Sequence, residues 1–244
     1  MEHTETEAAP AGGPLPRHHH HGYDDHAHNG HDVDPAQFYT QGYWDERYSG
    51  ARVWSGNPNP LLVRYVAGLA PGDALDVGSG EGADVLWLAS RGWTVTGIDV
   101  SAVALERAAE AAQRAGAQVA GRITWQRADL VDPEWAPPER RFDLVSAHFM
   151  HMPAAMRNAL HRRLAAAVRP GGTLLVVGHH PSDLETSMRR PHLPEMFATP
   201  QEMAAVLDPA QWDIETGAPE RQSADAECTL VTIRDAVVRA VRRA

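Results

Sequence analysis

Ala74-Leu75-Asp76-Val77-Gly78-Ser79-Gly80-Glu81-Gly82 passes from a short, mostly apolar run directly into three glycines separated by single residues. Beyond it, Val85, Leu86, Leu88 and Ala89 fall on one face of a helical period that Gly92 closes. A strand that turns at once into a helix presents backbone N–H groups and the positive helix end to a ligand, and glycines let that ligand approach closely. The stretch therefore predicts a strand–loop–helix unit with a binding site at the helix start.

Reading outward, strand and helix signals alternate, which implies a parallel sheet covered on both faces. Residues 93–98 read as a second strand ending at Asp99, and Ser101 can cap a helix over 102–115. Strands follow at 122–126 and 142–147, then a helix at 156–168 that Arg169-Pro170-Gly171-Gly172 should stop, and a strand at 173–177. Upstream, Pro58 and Pro60 precede a helix over 61–69, and the cluster Phe38, Tyr39, Tyr43, Trp44 and Tyr48 marks where ordered chain begins near Pro35. A helix at 200–207 and two strand-like runs, 211–216 and 228–238, complete the pattern. The two runs read as a final hairpin joined by a short polar loop. The expectation is an α/β fold: a Rossmann-like, doubly wound, seven-stranded and mostly parallel sheet with an antiparallel terminal hairpin strand, spanning residues 35–244. Residues 1–34, rich in Gly, Pro, Asp and His with few aliphatics, read as a disordered tail.

Composition narrows the function classes. The single cysteine, Cys228, excludes an intramolecular disulfide and any thiolate-built metal cluster, and in a predicted strand it reads as buried packing. The net charge is -10, and the first 34 residues hold seven acids against Arg17, leaving about -4 for the rest. There is no lysine, and the 22 arginines form no stripe of the kind that tracks phosphates, so no nucleic-acid partner is expected. No apolar run approaches the roughly 18 residues that span a bilayer, and no secretory signal is readable; a soluble, cytoplasmic protein is expected.

Three features sharpen the glycine loop. Asp99, 19 residues beyond Gly80, stands where a carboxylate can accept from both hydroxyls of a ribose, although it could also cap the next helix. Gly80 and Gly82 are one residue apart, unlike the G-x-G-x-x-G that cradles a dinucleotide pyrophosphate. Asp76 would repel a pyrophosphate yet suit a cationic group.

The string 74–82, followed by Val95-Thr96-Gly97-Ile98-Asp99-Val100-Ser101, resembles the first two motifs of the class I S-adenosylmethionine-dependent methyltransferases. Arg127-Ala128-Asp129-Leu130, Phe142-Asp143-Leu144-Val145-Ser146 and Arg169-Pro170-Gly171-Gly172-Thr173-Leu174 resemble the next three, in order. Within the class, Tyr43-Trp44-Asp45, Trp54, Pro58 and the ending 225–238 are similar to the thiopurine and tellurite-resistance group of small-molecule enzymes. The resemblance implies S-adenosylmethionine as cofactor, with Gly78 and Gly80 flanking its methionine part and Asp76 near its ammonium. It further implies Asp99 on the ribose, Asp129 on the adenine amine, and Val100 and Leu130 lining the base. Asp143 reads as structural.

Methyl transfer needs an aligned nucleophile and, where the acceptor carries a proton, a base. His148, His151, His179 and His180 follow the fourth and fifth strands, where an open α/β sheet binds ligands. Of these, His151 and His179 are taken as substrate contacts or base, while His161 and His192 read as ordinary surface residues. An Asn-Pro-Pro-Tyr type of motif for amine acceptors is missing after the fourth strand, which reads Ser146-Ala147-His148-Phe149. In the tail, His18, His19, His20, His21, His26, His28 and His31 with nearby aspartates could bind a divalent metal. Two other functions share parts of the pattern: a nicotinamide-dependent oxidoreductase, and a metal-binding or regulatory protein on a methyltransferase scaffold.

Overall fold

The computed structural model describes residues 35–190 and 193–244. The tail with its candidate metal ligands, and His192, lie outside the described residues. Chain order runs α1 (Gln41–Ser49), α2 (Pro60–Val66), β1 (Asp73–Val77), α3 (Ala83–Ser90), β2 (Thr94–Asp99), α4 (Ala102–Ala115), α5 (Ala117–Ala120) and β3 (Ile123–Arg127). It continues with β4 (Phe142–His148), α6 (Ala154–Ala167), β5 (Val168–His179), α7 (Pro200–Ala204), β6 (Trp212–Gly217), β7 (Glu220–Ala224) and β8 (Leu230–Arg242). The sheet order is β3-β2-β1-β4-β5-β8-β6. The first five strands are mutually parallel, and β8 runs antiparallel between β5 and β6.

The chain winds outward from β1 through β2 to β3, then crosses back to lay β4 on the other side of β1. The crevice between the ends of β1 and β4 is thus a topological switch point, where open α/β sheets bind ligands. Alternation along the strands feeds two cores. Ala74, Val95, Leu144 and Val177 pack with Leu62, Val85 and Leu88 under α2 and α3, whereas Leu75, Val77, Ile98 and Val145 pack with Leu160 and Leu164 of α6. Asp76 points to the α3 side, a carboxylate inside an otherwise apolar strand.

Helix α4 starts where Ser101 accepts the N–H of Ala104 at 3.1 Å and ends before Gly116, whose φ is 106°. Three expectations change locally. Arg169 to Gly172 follow the end of α6 as expected, but they already belong to the long strand β5, which pairs with Phe142 through a register shift and turns at Gly171 with φ 78°. The supposed polar loop of the terminal hairpin is itself β7, paired with β8 from Glu220↔Arg234 to Ala224↔Leu230. Its largely exposed residues give it no apolar face to betray a strand. The turn lies instead at residues 225–229, where Asp225 Oδ1 accepts the N–H groups of Glu227 and Thr229. Cys228 sits in that turn, exposed and with φ 61°, rather than buried in a strand. Among the described residues no helix is long and apolar enough to cross a membrane.

Gly97 shows how tightly the sheet packs on α3. A Cβ there would come within 2.6 Å of the Trp125 ring and 3.1 Å of Val85. Gly97→Ala is expected to cost about 1–3 kcal/mol by overpacking, seen as a lower urea midpoint with unchanged slope. An unaltered midpoint would show that the Trp125 ring moves aside freely.

Candidate active site

The glycine loop leaves β1 and hooks back onto β2. Gly78 and Ser79 both donate their N–H groups to the Ile98 carbonyl, at 2.8 and 2.9 Å, and Gly82 donates to Ser79 O at 2.9 Å. Gly80 donates to Asp99 Oδ2 at 2.8 Å. Gly78, Gly80 and Gly82 take φ of 72°, 50° and 82°, a region that side chains strain. These amides are therefore consumed inside the fold, contrary to the sequence expectation that they face the ligand. A pyrophosphate would find few free donors here. It would also meet Asp76, Asp84 and Asp99, of which Asp76 and Asp99 are almost fully buried.

Asp99 holds the loop's far side. Besides Gly80 it accepts the Ser101 N–H on Oδ1 at 2.9 Å, so one lone pair of each oxygen remains for hydroxyl donors. Burial raises its pKa, and the N–H groups of Ser101, Gly80 and Val100 pull the other way. Asp76 is pushed up to about 7, first by burial and then by the charge of Asp84, with His148 and the Ser146 hydroxyl acting against both. Ser146 Oγ donates to Asp76 Oδ1 at 2.6 Å. Asp84, in the first turn of α3, faces His148 Nδ1 at 2.7 Å and accepts the Asn59 N–H at 2.6 Å. Burial opposes a charge on His148, but the hydrogen bond and charge of Asp84 win and raise its pKa. This basin favours a cation.

The sequence reading missed how the segment before the sheet covers this basin. Glu81, between two loop glycines, accepts the N–H groups of Val53 and Trp54 at 3.1 and 3.2 Å and pairs with Arg107 at 3.2 Å. Tyr48 lies over Gly80, where a Cβ would approach its hydroxyl to 2.8 Å, and that hydroxyl accepts from Trp54 Nε1 at 2.9 Å. Asp45 accepts from Ser101 Oγ at 2.7 Å, tying α1 to the start of α4. Tyr48 was legible only as part of an aromatic cluster and Trp54 only within the family resemblance; the loop residues they cover are distant in sequence.

Of the remaining expected cofactor contacts, Val100 is partly exposed beside Asp99, Leu130 is buried, and Asp129 is exposed with Oδ1 capping the Val131 N–H at 3.0 Å. His151 and His179 come together, their rings stacked at 5.0 Å and 15°, with Phe149 4.6 Å from His179 and Phe197 5.6 Å from His151. Burial, with the fields of His179 and Arg190, holds His151 well below the usual imidazole range. Burial likewise brings His179 down to about 4 despite Asp235. Both rings are neutral at physiological pH. His180 is spent on Ser182 at 2.9 Å, and Asp143 is structural, accepting the Asp73 N–H at 2.8 Å and facing Arg169 at 3.2 Å. His161 is buried rather than on the surface, because its position on α6 points inward under Met203.

Residues 74–172, which run from β1 into the start of β5 and include the glycine loop, match the methyltransferase domain family. Over that span the chain is similar to methyltransferases. It is 28% identical over 151 residues to the 2-heptyl-1-hydroxyquinolin-4(1H)-one methyltransferase of Mycobacteroides abscessus, covering 60% of this chain and 64% of that one. It is 32% identical over 143 residues to thiocyanate methyltransferase 1 of Brassica oleracea, covering 56% and 61%. The chain thus spans less than two thirds of the length of these curated relatives. A solved structure from work on the conversion of a disulfide bond into a thioacetal group during echinomycin biosynthesis shares the fold, with TM-score 0.63, 23% identity and coverage of 83% and 92%.

Asp76 makes the basin pH-sensitive. Its carboxyl has a raised folded pKa against an ordinary value of 3.8, so the stability it lends is complete below that value and lost as pH climbs through about 7. Asp76→Asn, fixed in the neutral form, should gain on the wild type between about pH 4 and pH 8, by at most about 4 kcal/mol, in chemical denaturation. A gap that stays constant with pH would mean that Asp76 ionises as it does in water.

Proposed function

We propose that this protein transfers a methyl group from S-adenosylmethionine to a small-molecule acceptor by in-line displacement. The observation that carries the reading is the glycine loop whose amides are satisfied internally while Asp76 and Asp99 stand beside it, an arrangement suited to a cationic adenosyl ligand without a pyrophosphate. The nicotinamide alternative has no such support.

On this reading Asp99 takes the ribose hydroxyls with the lone pairs left by Gly80 and Ser101. Gly78 and Gly80 flank the amino-acid end, and Asp76 compensates its ammonium. Asp129 takes the adenine amine with the oxygen not engaged by Val131, while Val100 and Leu130 line the base. When bound, the cofactor supplies an electrophilic methyl carbon on a sulfonium sulfur. Tyr48, Trp54 and the Glu81–Arg107 pair cover that position and exclude water, which would compete as a nucleophile. His151 and His179 contact the acceptor as neutral rings, able to orient it and take up a proton.

The two curated relatives described above are named for methylating a hydroxyquinolinone and thiocyanate, both small molecules. The resemblance to the thiopurine and tellurite-resistance group points the same way. A panel of thiol, phenol and chalcogen acceptors, scored by release of S-adenosylhomocysteine, tests the reading. At least one class should turn over, and His151→Ala should lower that turnover by about tenfold or more without changing S-adenosylhomocysteine affinity. Equal turnover in the variant would remove His151 from the acceptor site.

A further inference from the structure

Helix α6 carries three arginines, Arg157, Arg162 and Arg163, and they meet different surroundings. Arg162 is exposed. Arg163 donates to the carbonyls of Leu130, Asp132 and Trp135. Arg157 is 7% exposed, and its guanidinium has no ion pair or hydrogen bond among the described residues; its Nε is buried without a partner. The field of Glu202 reaches it, but that carboxylate is engaged by the N–H and hydroxyl of Thr199, each at 2.8 Å. A guanidinium nitrogen buried without a partner is costly, so a chain that keeps one has a ligand for it or a reason of comparable size.

The space beside Arg157 identifies that ligand's chemistry. A narrow recess of about 20 Å³, open at its mouth, is lined by Arg157, His151, His161, Met150, Met196 and Met203. His151 Nε2 is a second buried polar atom there without a partner. Burial keeps His151 and His161 neutral, so Arg157 carries the charge of the recess. Three thioethers supply a polarizable, apolar wall. Met150 also forms the partition to the glycine loop: a Cβ on Gly78 would lie 2.4 Å from its sulfur. The recess thus lies one side chain away from the place assigned to the cofactor's amino-acid end.

We propose that Arg157 anchors the acceptor subsite, and that the acceptor is a compact anion seated between this guanidinium, the His151 ring and the methionines. The inference rests on the methyltransferase reading above. A lone pair of the anion forms the bond to the methyl carbon while the electron pair of the breaking carbon–sulfur bond stays on sulfur. Anion and sulfonium become two neutral products, and no proton moves. Arg157 offsets the desolvation of the nucleophile, which explains why neighbouring imidazoles of such low basicity suffice.

Calorimetric titration of thiocyanate into the full chain, at constant ionic strength in chloride, tests this. S-Adenosylhomocysteine is titrated first in the same cell, so that failure of the cofactor reading appears as loss of the first isotherm; thiocyanate is then titrated alone and the same comparison decides. Thiocyanate should bind saturably, at least about tenfold more weakly in Arg157→Met and unchanged in Arg162→Met, with the neutral probe acetamide silent. Because the Arg157 guanidinium has no ion pair or hydrogen bond to lose among the described residues, Arg157→Met should keep or raise the Tm of the unliganded protein. Equal thiocyanate affinity in Arg157→Met, equal binding of acetamide or inorganic phosphate, or a Tm fall of the size expected for a core truncation would each overturn the proposal.

Discussion

The hydrogen bonds from Gly78, Ser79 and Gly80 to the end of β2 decide what the upper edge of this sheet can bind. By taking three successive loop amides, the Ile98 carbonyl and the Asp99 carboxylate lock the turn in a left-handed path that only glycine adopts cheaply at Gly78 and Gly80. The same bonds remove the donors that would otherwise cradle phosphate. What remains exposed to a ligand is carboxylate and carbonyl oxygen, and the site's sign follows from that choice. In a dinucleotide-binding loop the same strand–loop–helix geometry serves the opposite charge.

A second consequence concerns the chain before the sheet. Glu81 could not sit between Gly80 and Gly82 as an unpaired buried charge; it is held by the Val53 and Trp54 amides and by Arg107. The loop therefore fixes residues 50–54 and, through Tyr48 and Asp45, helix α1 above it. The cover over the ligand basin and the basin itself are one hydrogen-bonded unit. On the other side of the switch point, Met150 stands between the loop and the recess beneath α6.

Most of the fold was legible because it rests on local rules. The Ser101 cap and Gly116 bracket α4 at 102–115, β1 and β2 show as apolar runs bounded by glycines and aspartates, and β4 shows as an apolar run. Asp76 and Asp99 stand out in the sequence as carboxylates inside the first strand and at the end of the second. The misses share a different origin. β7 has no apolar face, because it pairs along β8 largely in solvent, and the cysteine turn follows from that pairing. Arg157 and His161 look like surface residues in a helix rich in arginine, and only the packing of α6 on the sheet tells inward from outward. The roles of Glu81 and Tyr48 depend on partners that loop closure brings from far along the chain, and no periodicity records those.

The claim on which the rest stands is that the loop accepts an adenosyl cation and rejects a pyrophosphate. Titration of the protein with S-adenosylhomocysteine and with NAD, repeated on Asp99→Ala, measures it directly. The account predicts saturable binding of the homocysteine adduct, weakened about tenfold or more in Asp99→Ala, and none of NAD. Binding of NAD without the homocysteine adduct, or adduct binding indifferent to Asp99, would contradict it.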